Sequence, residues 1–243
     1  ISIKDPRFLH NLKTMKLKFI ENLEKDTNNW YGTTGISNYG IDWGKFLPKD
    51  ILVEKIKNPA YLRDYLENKY YKTGKITEFK NWLEQNINPN QIQEDLELLM
   101  GKKFGNTTIN VFITVFGRGM YYVPGNFFYL NYCHRDPEKS ASRIYHELMH
   151  FLFHIYYWSE CKKAGLSEKQ IHDLKESLTV LLNPILKQRN LPLDSGYPKH
   201  QIMRANLEKL WNKEKNNKGG KFELFLKKVL NNKGLILRLL RKI

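Results

Sequence analysis

The residues of this chain whose types and spacing can do chemistry are His146, Glu147 and His150, in the run His146-Glu147-Leu148-Met149-His150. No Gly or Pro occurs from Ala141 to Ala164, and helix formers dominate, so the spacing predicts one long helix. Residues four apart on a helix stand one above the other, so the two imidazoles project from one face, a turn apart, and can grip one metal ion. Glu147 is turned by about 100° from His146. That sets its carboxylate beside such an ion as a proton acceptor rather than opposite it as a ligand. Two imidazoles, one further ligand and an activated water make a hydrolytic zinc centre. The competing explanation is an amphipathic helix with an incidental polar face. Leu148, Leu152 and Ile155 argue against it, because they read as an apolar stripe on the far side from the three polar residues.

The stretch resembles the active-site helix of the HExxH zinc metallopeptidases, the zincins. That resemblance implies an antiparallel strand bordering the cleft, an active-site helix packed under the sheet, and a third ligand from a second helix. In the metzincin branch the motif continues with a Gly and a third His. Here His150 is followed by Phe151-Leu152-Phe153-His154, with no glycine to turn the chain. In the gluzincin branch the third ligand is a Glu on a downstream helix, and the resemblance points to Glu176. That residue lies in the run Ser167–Asn183, whose buried stripe reads as Ile171, Leu174, Leu178, Leu181 and Leu182, continuing to Ile185; Glu176 falls nearly opposite. Asp173, His172 and Glu168 compete for the role. The Asn-Glu-x-x-Ser-Asp pattern of that branch is absent, and the spacing from His150 is longer than usual. Zincins commonly place a Tyr, His or Arg at the oxyanion, and the resemblance makes Tyr197 and His200 the candidates.

His154 shares the face of His146 and His150, but a helix rises about 12 Å from 146 to 154, while zinc–nitrogen bonds are about 2.1 Å. It is therefore expected to line the cleft or the helix surface, not to ligate. The adjacent Cys133-His134 fits no ligand spacing.

The elements that must position these residues follow from the rest of the chain. Residues 1–26 read as an amphipathic helix, and the Gly- and Asn-rich residues 28–40 as a connection without the Lys-Ser/Thr of a phosphate loop. Segments opening at Pro48, Pro59, Thr77 and Asn88-Pro89 read as helices, the last stopped by Gly101. Residues 107–116, 120–123 and 126–132 are β-branched and aromatic and read as antiparallel strands, with Arg118 in a turn. The expected fold is α+β and mostly helical: a helical N-terminal subdomain over 1–104, and a zincin-like catalytic domain over 105–243 with a small antiparallel sheet ahead of the active-site helix. A helix is expected from Gln201 to Trp211, then a basic linker over 213–221 and short basic amphipathic segments that cap the core.

The chain has 243 residues and a formal charge of +15, with 41% hydrophobic and 27% charged residues, a globular composition. The charge is spread along the whole chain, as compositional bias would spread it, so nucleic acid is not the expected partner. A peptide or protein substrate is, with weak membrane-surface contact by the basic C-terminus as a secondary expectation. Two cysteines say little about redox compartment. The chain starts at Ile rather than Met and shows no signal or membrane span, so a soluble protein is expected, cytoplasmic or secreted after loss of a signal segment. Two other classes stay open: a basic nucleic-acid-binding or interaction protein, and a zincin scaffold that is not a peptidase.

Overall fold

Met15-Lys16-Leu17-Lys18-Phe19 alternates apolar residues with lysine, the period of a half-buried strand. In the computed structural model, which describes residues 14–33, 47–51, 53–115, 119–132, 138–218 and 221–232, Lys16–Ile20 is strand β1. Met15 and Phe19 point into the core while Lys16 and Lys18 stay in solvent. This corrects the expected helix over 1–26, whose first thirteen residues lie outside the described ones. The helix α1 starts only at Leu23 and runs to Thr33, capped by the Asn22 side chain, which accepts from the Lys25 N–H at 2.8 Å. It takes in the start of the expected 28–40 connection; residues 34–46 lie outside the described ones.

Helices α2 (Pro59–Leu66), α3 (Lys75–Asn86) and α4 (Pro89–Met100) follow. Asn58 and Asn88 cap α2 and α4 ahead of a proline at the first helical position, and Gly101 closes α4 in the left-handed conformation. At Pro48 there is a turn rather than a helix.

The sheet joins β1 to β2 (Thr108–Thr114), β3 (Tyr121–Tyr122) and β4 (Phe127–Asn131), in the order β1-β2-β4-β3. β1 and β4 both run parallel to β2; only β3 is antiparallel, to β4. The expected all-antiparallel sheet is corrected here. The chain leaves β2, passes to the far edge for β3, and turns back through Val123–Gly125 into β4. The central strand β2 is buried on both faces, as parallel strands are. Because β1 supplies one edge, the N-terminal part is not purely helical. It also shares one apolar core with the rest, from Phe19 and Leu62 through Leu148 to Phe225.

Helix α5 (Glu138–Tyr156) packs on β3, β4 and α4. It is buried nearly all round, including Ile144, Leu148, Phe151 and Leu152, so it is a central helix rather than one with a single apolar stripe; Ile155 is exposed. The expected unbroken helix is interrupted at Tyr157, whose buried ring is anchored by its hydroxyl to the Met100 carbonyl at 2.6 Å. Short α6 (Trp158–Lys163) leads to α7 (Glu168–Leu178), which Ser167 and Gln170 open with a reciprocal capping box. A 3₁₀ turn over Thr179–Leu182 joins it to α8 (Asn183–Gln188). α9 (Gln201–Lys218) extends through most of the expected linker, and α10 (Phe222–Asn231) buries Phe222, Phe225, Leu226, Val229 and Leu230, the expected core cap. Among the described residues, no helix is long and apolar enough to cross a membrane.

One buried acid ties α1 to the end of β2. Asp26 accepts from Thr114 Oγ1 at 2.6 Å, the Val115 N–H at 3.1 Å and Tyr71 Oη at 3.1 Å. Burial pushes its pKa up to about 7, against the pull of those three donors. The native state therefore holds a proton that the unfolded chain has lost above about pH 4, and this group's contribution to stability falls as pH rises from about 4 to about 7. Asp26→Asn mimics the protonated form. Its unfolding free energy in urea relative to wild type should climb across that window, at no more than about 1.4 kcal/mol per pH unit. A difference independent of pH would show that the carboxyl is ionised throughout.

Candidate metal centre

His146 and His150 stand one turn apart on α5, with ring centroids 4.3 Å apart. Helix α7 brings Glu176 against them. His146 Nε2 lies 3.4 Å from Glu176 Oε2, and His150 Nε2 lies 3.3 Å from Glu176 Oε1. Among the described residues this is the one group of three such side chains whose candidate ligand atoms all fall within 4.8 Å of one another. The group is deeply set: His150 and Glu176 are buried, and His146 keeps 17% of its side chain exposed, on the side open to solvent.

The atoms are poorly satisfied by one another. Both nitrogens of His150 and Oε2 of Glu176 are buried without a hydrogen-bond partner. A charge-assisted N–H···O bond would draw them to about 2.7–2.9 Å. Two ligands at about 2.0–2.1 Å from a tetrahedral ion instead stand roughly 3.3–3.4 Å apart, so the donor set and its spacing fit zinc.

Each imidazole has a distinct electrostatic setting. Burial alone would lower the pKa of His146, but Asp194, and then Glu176, push it up to about 10. Asp194 Oδ2 lies 2.6 Å from His146 Nδ1, so in the neutral ring that a metal ligand requires Nδ1 is the nitrogen that keeps its proton, and Nε2 is turned toward Glu176. For His150, burial and then the nearby Lys175 ammonium push the pKa down to about 3, so the ring is neutral. Burial raises the Glu176 carboxyl, but Lys175 and the two histidines outweigh it and hold the group ionised, well below the usual carboxylate range.

Asp194 is the residue that reasoning from the sequence missed. It lies in the loop after α8, 48 residues beyond His146, and no helical or strand period connects the two. Its carboxylate also accepts from Thr179 Oγ1 at 3.0 Å and forms an ion pair with Arg204 Nη2 at 2.9 Å, while Asn183 accepts from its main-chain N–H through Oδ1 at 2.8 Å. The sole local signal is an acid flanked by Leu193 and Ser195-Gly196.

Glu147 is buried beside this group, and burial raises its pKa. The residues leading into β3 leave it room: a Cβ on Gly119 would stand 2.9 Å from Glu147 Oε1. Two residues on, the Tyr121 ring packs on His150 at 5.4 Å between centroids. The edge strand β3 therefore borders the site.

The competitors of Glu176 are engaged elsewhere. Asp173 Oδ1 takes Lys199 Nζ at 2.8 Å and His200 Nε2 at 2.9 Å. The His172 ring meets Trp158 edge-on at 4.9 Å, and Glu168 pairs with Lys162 at the surface. His154 stacks on Trp158 at 4.7 Å and stays out of the cluster, as its distance along the helix predicts. Tyr197 and His200, the expected oxyanion residues, do not join the group. His200 is fully buried and held by Asp173, and Tyr197 packs edge-on against it at 5.8 Å. Arg118, Cys133 and His134 lie outside the described residues.

Compared with protein-family models, curated proteins and solved structures, the chain finds no match in any of the three.

The loop that carries Asp194 depends on Gly196. Its φ is +61°, and a Cβ there would come within 2.5 Å of the Arg204 guanidinium that holds Asp194. Gly196→Ala should lower stability by roughly 1–3 kcal/mol in urea unfolding, from backbone strain and the displaced arginine together. An unchanged midpoint would mean that the loop and Arg204 move apart freely.

Proposed function

We propose that the protein is a zinc-dependent metallopeptidase of the zincin type, in which His146, His150 and Glu176 hold the ion and Glu147 is the general base. The observation that carries this reading is the convergence of the two Nε2 atoms on the Glu176 carboxylate at 3.4 and 3.3 Å, in a buried site where both His150 nitrogens and Glu176 Oε2 have no hydrogen-bond partner. When bound, zinc at this position supplies a Lewis acid that polarises the scissile carbonyl and acidifies a water molecule. Glu147 takes the proton of the attacking water and delivers it to the leaving amine. Its burial suits it to that exchange, because a raised pKa makes the carboxylate a stronger base. Asp194 fixes the His146 ring and its tautomer.

Substrate geometry follows from β3. It is the outer strand of the sheet, and it passes Glu147 and His150 through Gly119 and Tyr121. An extended peptide laid along its open edge would run past the general base and the ligands, with main-chain hydrogen bonds supplying affinity. This favours a peptide over a compact small-molecule amide.

Elemental analysis should find about one zinc per chain in wild type and none in His146→Ala. Wild-type protein that stays zinc-free after incubation with the metal would sink the reading. Asp194→Asn should bind zinc roughly 10–100-fold more weakly, measured by chelator competition. Glu147→Gln should keep its zinc and cleave a peptide library at least about 100-fold more slowly. Zinc binding without peptide cleavage by wild type would identify a metal-holding scaffold of another chemistry.

A further inference from the structure

Lys175 sits beside the proposed third ligand and is almost completely buried, with 3% of its side chain exposed. Lysine is rarely buried unless paired. Its ammonium donates to Glu176 Oε1 at 2.7 Å and lies over the Tyr121 ring, 4.5 Å from the centroid. Neighbours in sequence do not face each other on a helix, so α7 does not impose this contact. The tertiary surroundings do. Tyr121, arriving on β3, offers the ring face over which the ammonium lies.

The two oxygens of Glu176 are thereby made unequal. Oε1 accepts from the lysine and also lies 3.3 Å from His150 Nε2. Oε2 is buried, has no hydrogen-bond partner and lies 3.4 Å from His146 Nε2. We propose that Lys175 is a positioning residue that occupies one oxygen of Glu176, so that the carboxylate meets the metal through a single oxygen and a coordination position is left open for water. This rests on the metal-centre reading above. It assigns Tyr121 a part as well: the same ring that packs on His150 supports Lys175, so β3 sets both an imidazole and the carboxylate of the ligand set.

Cobalt(II) is the probe, because its visible bands are intense when four-coordinate and weaken when a fifth ligand binds. Wild type, Lys175→Met, Lys175→Arg and His146→Ala are loaded with Co2+ and their spectra, stoichiometry and zinc affinity by chelator competition compared. Expected are intense four-coordinate bands in wild type, weaker five-coordinate bands and at least about tenfold weaker zinc binding in Lys175→Met, and return toward the wild-type spectrum in Lys175→Arg. Five-coordinate bands in wild type, or the same bands and affinity in Lys175→Met, would overturn this role while leaving the metal centre standing. Absence of stoichiometric cobalt in wild type, or equal loading of His146→Ala, would instead remove the metal-centre reading and this inference with it. Circular dichroism establishes that each variant folds. Should Lys175→Met fail to fold, Lys175→Gln, which also removes the charge, takes its place with the same two outcomes.

Discussion

Burying charge is the constraint on which the rest of this structure depends. Between α5 and α7 the chain removes from water the His150 imidazole, most of the His146 imidazole, the carboxylates of Glu147 and Glu176, and the Lys175 ammonium, with Asp194 and Arg204 just behind. Isolated ions in such surroundings cost many kcal/mol, so each must find a partner of opposite sign or give up its charge. His150 gives it up, Glu176 keeps it against Lys175 and the histidines, and His146 keeps it against Asp194. The partners arrive from α7, from the loop after α8 and from α9, so the packing of three separate segments around α5 is bound to the electrostatics of one site.

The arrangement also explains why the apolar core is built as it is. A helix that presents His146, Glu147 and His150 on one side must be held rigidly on the others. α5 meets this with Ile144, Leu148, Phe151 and Leu152 packed among β4, α4 and the turn after α7. A side-chain network left half satisfied inside such a core would be destabilising. The unpartnered atoms of His150 and Glu176 are the part of this network that the chain's own groups leave incomplete, and the proposed ion would take up one nitrogen of His150 and Oε2 of Glu176. Metal binding and stability are then linked, since a ligand that binds only the folded state stabilises it.

The sheet contributes through its edge. Three of its strands serve the core, whereas β3 serves the site: Gly119 makes space for Glu147, and Tyr121 touches both His150 and Lys175. A two-residue strand gains little from its own ladder. Its place on the outside of β4 is what matters, because that puts Gly119 beside Glu147 and an aromatic ring beside His150 at once.

What the sequence determined by itself is what local periodicity carries. The five residues from His146 to His150 set two imidazoles on one helical face whatever the surroundings. The Asn-Pro and Ser-x-x-Gln caps placed the starts of α2, α4 and α7, and the β-branched run ahead of the motif placed β2. Even the misread N-terminal strand was legible, since lysine alternates with apolar residues from Met15 to Phe19; there a helical count competed with a period of two. Tertiary structure decided the rest. Strand direction depends on the order in which the chain returns to the sheet, which no local pattern encodes. Asp173 and Glu176 lie three residues apart on one helix, so period alone could not choose between them; the approach of α7 to α5 turned Glu176 to the histidines and Asp173 to His200. Asp194 and Lys175 acquire their roles only through contacts with distant segments, because a buried charge is defined by what surrounds it, and those surroundings exist only once the chain has folded.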